Sequence, residues 1–244
     1  MKLRFCSVAL AALFLPSIAL AGPPFLTDDP EPTDTGHWEI YGPLIEAEGK
    51  GASYEGAVAA EFNYGATPDL QLTVEIPLAY AHDANVLERG FGNIAVSAKY
   101  RFFHDEKNGL SIAAFPGITL PTATNGFGGG KVTALLPVWL QKDSGPWSVF
   151  GGGGYAINPG VDNRNFWTGA IAVSRQLTPK LLMGIEAERQ GADVVGGSGS
   201  TSLGIGTIYQ LKAPFRVLAS GGPTLVDDGG APGFHAFVAL GTDF

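Results

Sequence analysis

Residues 234–244 read FHAFVALGTDF, and their side chains alternate between two kinds. One set is apolar except for a threonine and has an aromatic ring at each end: Phe234, Ala236, Val238, Leu240, Thr242 and Phe244. The other set is, on the whole, smaller or more polar: His235, Phe237, Ala239, Gly241 and Asp243. Because successive side chains of a strand point to opposite faces, the stretch predicts a β-strand with one face in lipid and the other towards a lumen.

A last strand of this kind, closed by Phe244, resembles the terminal strand of the outer-membrane β-barrels of double-membraned bacteria. In those barrels the terminal strand is the signal that the insertion machinery recognises. The resemblance implies that the barrel insertion machinery binds this strand through Phe244 and that outer-membrane lipids surround the folded chain. For this strand alone, the alternative is the edge strand of a soluble β-sandwich.

The first residues, 1–21, have the three parts of a secretory signal peptide. Two basic residues precede an apolar run over residues 5–20, and small residues form the exit before Gly22. This order predicts export and cleavage after Ala21. The resemblance of the terminal strand implies the bacterial outer membrane as the destination. The single cysteine, Cys6, lies in the part removed, so we expect no disulfide in the mature chain.

The composition favours an all-β chain. The sequence has 35 glycines and 11% aromatic residues, and helical periodicity is rare after residue 21. The formal net charge of −8 becomes −10 without Lys2 and Arg4, and no basic run is present, which excludes nucleic acid as a partner. No apolar run after Gly22 reaches the roughly 18 residues of a helical span. A membrane protein without such runs has to span as a closed barrel, because only closure pairs every backbone group.

From residue 37 onward the sequence divides into twelve segments with the length of a tilted membrane-spanning strand, roughly 9–13 residues. The predicted strands are 38–47, 52–64, 70–80, 92–103, 110–120, 131–141, 147–157, 166–177, 181–190, 201–211, 215–225 and 233–244. An even number of strands places both ends of the barrel domain, residues 37–244, on the periplasmic side.

The connections between these segments alternate in length, except that the first, 48–51, is short where a long one is expected. The short ones are 65–69, 104–108, 143–146, 178–180 and 212–214, and the longer ones are 82–91, 122–130, 158–164, 191–200 and 226–232. Aromatic residues also gather near both ends of the strands, as in two interface belts. The pattern predicts an antiparallel up-and-down transmembrane β-barrel with short periplasmic turns and longer extracellular loops.

A proline-rich acidic segment, residues 22–36, precedes the barrel and reads GPPFLTDDPEPTDTG. Its prolines remove ladder donors, so we expect this lead segment to be extended, irregular and periplasmic. One hypothesis is that it folds into the barrel mouth as a plug, with Phe25 and Leu26 as apolar anchors and Asp28 and Asp29 beside them. Calcium binding by its acids is the alternative, but their spacing fits no EF-hand.

The residue types that carry catalysis are present but not in catalytic patterns. The four histidines form no HExxH motif and no i, i+4 pair, and no cysteine follows the signal peptide. No GxSxG motif exists, and Ser174 has no evident base. We therefore expect no convergence of serine, histidine and acid, no cofactor, no metal site and no enzymatic activity.

Eight charged side chains are predicted to face the lumen: Glu39, Glu61, Glu75, Lys99, Arg101, Glu186, Glu188 and Arg216. They favour two readings equally, a salt-bridge lattice that fills the barrel or a pore whose charges select solutes. Small residues at other inward positions, such as Gly204 and Gly206, leave space and favour the pore. Twelve strands lie between filled eight-stranded barrels and open channels of about sixteen.

Three stretches resemble one known family. They are PPFLTDDPEPTDTGHWEIY at 23–41, YGATPDLQL at 64–72 and GFGNIAVSAKYRF at 90–102. The sequence is similar there to the outer-membrane transporter family named for the meta pathway of phenol degradation. The resemblance implies an outer-membrane β-barrel that takes up or exports small molecules, with aromatic compounds among the candidates, and it carries no catalytic residues over.

The sequence as a whole predicts an outer-membrane channel or transporter for small solutes, including aromatic or hydrophobic compounds. Its slightly acidic lumen should disfavour anions. Two alternatives stay open. One is an outer-membrane barrel enzyme of the lipase or protease type, and the other is a plugged barrel with a structural or surface-interaction role.

Overall fold

The computed structural model describes residues 24–83, 86–229 and 231–244, so the predicted signal peptide and its cleavage site lie outside the described residues. Within these ranges no helix is long and apolar enough to cross a membrane. The fourteen strands are β1 Trp38–Lys50, β2 Ser53–Thr67, β3 Leu70–Asp83, β4 Val86–Phe91, β5 Ala95–Asp105, β6 Leu110–Ala114, β7 Gly117–Thr119, β8 Thr133–Ser144, β9 Trp147–Ile157, β10 Phe166–Thr178, β11 Leu181–Gln190, β12 Ser200–Gln210, β13 Phe215–Val226 and β14 Gly233–Asp243.

These strands form one antiparallel sheet that closes on itself. Pairing follows chain order, and β1 pairs with β14, with Glu39 opposite Asp243. Trp38 N donates to Phe244 O and Phe244 N donates to Trp38 O, which completes the seam. β4 and β5 share one crossing of the wall, as do β6 and β7, so the described strands make twelve crossings. The predicted twelve-stranded up-and-down barrel is confirmed.

The wall has an apolar outer face and a smaller, more polar inner face. In β3, Leu72 and Val74 are exposed on the outside, whereas Gln71 and Thr73 are buried inside. β14 alternates as its sequence predicts, with Val238 outside and Ala239 inside. We call the end with the short connections and the C-terminal residue the turn end, and the opposite end the loop end.

Two parts of the wall differ from the predicted strands. The segment 82–91 was predicted as a loop but is largely strand. β3 pairs with β5 as far as Glu75, and from Leu78 to Asp83 it pairs with β4 instead. The polar side chains of this segment do not prevent pairing, since the backbone supplies the ladder hydrogen bonds. The predicted strand 110–120 is interrupted between β6 and β7 at Pro116, which has no N–H to donate.

A bulge in β1 changes which of its residues face the lumen. The register shifts between Tyr41 and Leu44, both of which are buried inside the barrel. Alternation from Leu44 onward then places Glu46 and Glu48 on the lumen side. These two acids are missing from the predicted set. The prediction assumed that side chains alternate along β1 without a bulge, and that alternation places both acids on the outside.

Candidate functional site: the barrel lumen

The lead segment runs through the lumen from one wall to the other. Near the turn end Gly36 N donates to Gly65 O at 2.7 Å. Further along, Thr33 N donates to Gln71 Oε1 at 2.8 Å, and Thr27 N donates to Glu186 Oε2 at 3.0 Å. The segment is irregular, as its prolines predict, and it joins the β2–β3 side of the barrel to β11.

Ion pairs hold the middle of the lead segment against β5. Lys99 Nζ lies 3.0 Å from Asp28 Oδ1 and 3.6 Å from Asp29 Oδ1. Arg101 Nη1 donates to Glu31 Oε2, and Arg101 Nε donates to Asp69 Oδ1 at 3.0 Å. Asp29 is only 1% exposed, and this burial raises its pKa although Lys99 acts in the opposite direction. Asp28, Asp29 and Lys99, three of the predicted residues, thus come together.

Phe25 packs into the wall, whereas Leu26 does not. Phe25 is 8% exposed and meets Phe150 edge to face, with 5.6 Å between ring centroids. Gly184 and Gly206 leave room for the ring, since a Cβ at Gly206 would lie 2.5 Å from Phe25 Cε1. Leu26 was predicted as a second anchor, but it stays 43% exposed and lines a cavity.

The third predicted cation, Arg216, joins the seam of the barrel. Its guanidinium donates to Glu39, to Asp243 and, at 3.0 Å, to Tyr41 Oη. These partners come from β1 and β14, so Arg216 links three neighbouring strands.

The remaining predicted acids have no cationic partner among the described residues. Glu61 lies opposite Glu75 across β2 and β3 and accepts a hydrogen bond from Asn63 Nδ2 at 2.7 Å. Thr27 donates to Glu186 and Thr168 to Glu188. No ion pair within the described ranges includes Glu61, Glu75, Glu186 or Glu188. The described part of the lumen wall therefore carries acids without a cationic partner beside cations that are paired.

Among the described residues, the lead segment contributes to the walls of two cavities in the lumen. A cavity of about 370 Å³ at the turn end is lined by charged groups, including Glu39, Lys99 and Arg216. A larger one of about 640 Å³ extends to the loop end, with an apolar wall that includes Leu26, Phe115, Leu135, Trp139 and Phe166. Asp28 and Phe115 line both cavities, so they mark the boundary between them.

One group of polar side chains approaches a catalytic arrangement more closely than the sequence predicted. Ser202 Oγ lies 3.1 Å from Thr224 Oγ1, which lies 3.4 Å from His235 Nδ1. The threonine stands between the serine and the histidine, so the direct bond between nucleophile and base that acyl transfer needs is not formed. In the described part of the chain, no group of three or more His, Cys, Asp or Glu is placed to hold a metal.

Comparisons with known proteins agree with this architecture. A family model described as "Putative MetA-pathway of phenol degradation" matches residues 49–230. A search of the curated proteins finds no match.

Three solved structures share the fold at low sequence identity. An outer membrane channel from Pseudomonas putida F1 is 14% identical, with a TM-score of 0.68 over 88% of this chain and 98% of that chain. The KdgM porin in complex with disordered oligogalacturonate is 9% identical, with a TM-score of 0.58 over 85% and 99% of the two chains. The NanC porin is 8% identical, with a TM-score of 0.59 over 84% and 98%.

Proposed function

This chain belongs to the family that its matching model describes, the MetA-pathway of phenol degradation, and from that premise we propose that it is an outer-membrane channel for small solutes. Export by a cleaved signal peptide, insertion through the C-terminal strand and an orientation with the turn end in the periplasm are parts of the same proposal. The observation that carries it is the pair of cavities along the axis of a closed barrel, whose boundary is formed in part by Asp28 of the lead segment and not by the wall alone.

The larger cavity favours aromatic and other apolar solutes. Phe115, Leu135 and Phe166 supply apolar surface, while Thr168 and Glu188 place polar atoms along the same cavity. Binding sites for small molecules combine a mostly apolar wall with a few polar groups in this way. A solute with an aromatic ring and one or two polar substituents fits both features.

The wall charges favour cations among inorganic ions. When the lead segment leaves, Arg101 keeps Asp69 and Arg216 keeps Glu39 and Asp243, so Lys99 alone loses all of its carboxylate partners. The wall acids that have no cationic partner among the described residues are more numerous: Glu61, Glu75, Glu186 and Glu188. A ring of like charge raises the local concentration of counter-ions in a narrow pore. The open channel should therefore pass cations more readily than anions.

The lead segment narrows the channel at rest, so conduction requires that it move. The test compares the mature protein in planar bilayers with a variant that lacks residues 22–34 but keeps Gly36, which bonds to the wall. We expect the variant to show a several-fold larger conductance and a preference for cations. An absence of conductance in both proteins would contradict the proposed channel function. An anion preference in the variant would contradict the proposed cation selectivity.

The seated lead segment also favours a second candidate, a permanently plugged barrel with a structural or surface-interaction role. Its contacts from Phe25 to Gly36 span the lumen. The conductance of the intact protein separates the two candidates. Deleting the segment opens either kind of barrel, whereas only a channel conducts while the segment is still present. Two results together would favour this candidate. The purified intact protein would show no conductance, and a strain that carries the variant without residues 22–34 would grow normally on small solutes.

A further inference from the structure

Two lumen cations depend on the lead segment for their carboxylate partners. Lys99 is only 4% exposed, and its ion pairs are with Asp28 and Asp29. Arg101 pairs with Glu31 of the lead segment and with Asp69 of the wall. Since the proposed channel conducts by moving the lead segment, Lys99 then loses both of its carboxylates and Arg101 loses one of two.

Arg216 shows that the wall can pair a lumen cation without help. Its carboxylate partners, Glu39 and Asp243, belong to β1 and β14 and stay in place wherever the lead segment lies. A lattice that only stiffened the barrel would pair Lys99 in the same manner. The wall instead leaves Lys99 available to an anionic group that can come and go.

We propose that Lys99, Arg101 and Phe115 form a binding subsite for small apolar carboxylates, which the lead segment occupies at rest with its own acids. This inference rests on the proposed channel function and names a ligand class for it. The three side chains of the lead segment held there are all carboxylates, and Lys99 Nζ also donates to Glu31 O at 3.4 Å. An ammonium beside a guanidinium fork matches the charge and the planar geometry of a carboxylate.

Phe115 selects for an apolar body on the ligand. Lys99 Nζ lies 4.9 Å from the centroid of the Phe115 ring, so an apolar surface stands directly beside the charge. Phe115 also borders the larger cavity, where Leu135 and Trp139 continue the apolar wall. A benzoate-like molecule can therefore place its carboxylate on the two cations and its ring towards this cavity.

The subsite lies near the turn end of the barrel, so an anion can reach it from that end. Lys99 lies opposite Gln71 near the start of β3, and Arg101 N donates to Asp69 O in the short turn between β2 and β3. Glu46 and Glu188 lie nearer to the loop end, so an anion that enters from the turn end avoids them and passes Glu61, which lines the turn-end cavity. Occupation of the subsite by such a ligand displaces Asp28 and Glu31 and opens the channel.

Direct binding tests the subsite independently of conduction. Benzoate is titrated by calorimetry into the detergent-solubilised variant that lacks residues 22–34, with benzyl alcohol and benzylammonium as ligands of similar size. We expect benzoate alone to bind, and Lys99→Gln in the same background to weaken it about tenfold, the order expected for one charge-assisted hydrogen bond. The matched control is Arg189→Gln, which removes an exposed cation paired with Asp227 and should leave binding unchanged.

Conductance of the intact mature protein supplies the second measurement. Benzoate on the turn-end side should raise the open fraction several-fold, benzyl alcohol should not, and Asp28→Asn with Glu31→Gln should open the channel without benzoate. A folded deletion variant that conducts but binds benzoate no better than benzyl alcohol would overturn the subsite and leave the channel intact. A variant that binds benzoate selectively but never conducts would overturn the channel and leave the binding site.

Discussion

At the scale of single residues, glycines on the lumen wall decide where the lead segment sits. Gly206 is one of the small inward positions that favoured an open pore in the sequence, but in the structure its space is filled by the Phe25 ring. The three atoms nearest to a Cβ at Gly206 all belong to Phe25, not to the wall. Small wall residues therefore make room for the chain's own segment as well as for solute.

This contact predicts that Gly206→Ala loosens the lead segment without damaging the barrel. The new methyl group would lie 2.5 Å from Phe25 Cε1, so the ring must move out of its contact with Phe150. In planar bilayers the intact mature variant should be open severalfold more often than the wild type, with unchanged thermal unfolding. Gly129→Ala is the control, since a Cβ there meets nothing within 4 Å. Equal opening of both variants and the wild type would mean that Phe25 does not hold the segment.

At the scale of elements, the seam between the first and last strands depends on one side chain more than on the others near it. Arg216 on β13 bonds to Glu39 on β1 and Asp243 on β14, and it is 3% exposed. Arg189 makes a similar pair with Asp227, but at the exposed loop end, where that pairing lowers the pKa of Asp227. The two arginines differ in burial and in the number of carboxylates they pair with, which is two for Arg216 and one for Arg189.

Arg216→Gln should therefore destabilise the barrel far more than Arg189→Gln. Removing the buried cation leaves two carboxylates near each other in the lumen, at a cost of about 3 kcal/mol in the free energy of unfolding. The exposed pair contributes little, because water screens it. Chemical unfolding in detergent micelles measures both variants. Similar midpoints for the two would show that the seam does not rely on Arg216.

Elements also show where sequence reasoning stops. β3 alternates without interruption, so its inner and outer faces follow directly from the sequence. β1 contains a bulge, and alternation read across it misplaces Glu46 and Glu48. Pro116 interrupts a crossing that the apolar pattern alone reads as continuous. A local period predicts a regular strand well, but bulges and breaks depend on the partner strands.

At the scale of the whole molecule, the closed barrel follows from repeated local patterns, whereas the contents of its lumen do not. Each of the twelve crossings is predicted from the pattern of its own side chains. Closure then follows, because every backbone N–H and C=O group in lipid needs a hydrogen-bond partner. The contact between Thr27 and Glu186 joins residues 159 positions apart, and no local pattern marks it. Alternation can assign inward charges on regular strands, but it missed Glu46 and Glu48 beyond the bulge, and it does not say which charges the lead segment would pair.

The summed charge of the lumen gives a prediction about ion selectivity. Glu46 and Glu188 face the lumen near the loop end and make no ion pair among the described residues. Unit charges about 10 Å apart in water interact by roughly 0.4 kcal/mol, which changes a local ion concentration about twofold.

In the variant that lacks residues 22–34, Glu46→Gln or Glu188→Gln should each lower the cation-to-anion permeability ratio about twofold, as reversal potentials across a salt gradient report. Glu106→Gln, in an exposed turn outside the lumen, should leave the ratio unchanged. An equal effect at Glu106 would mean that surface charge, and not the lumen wall, sets the selectivity.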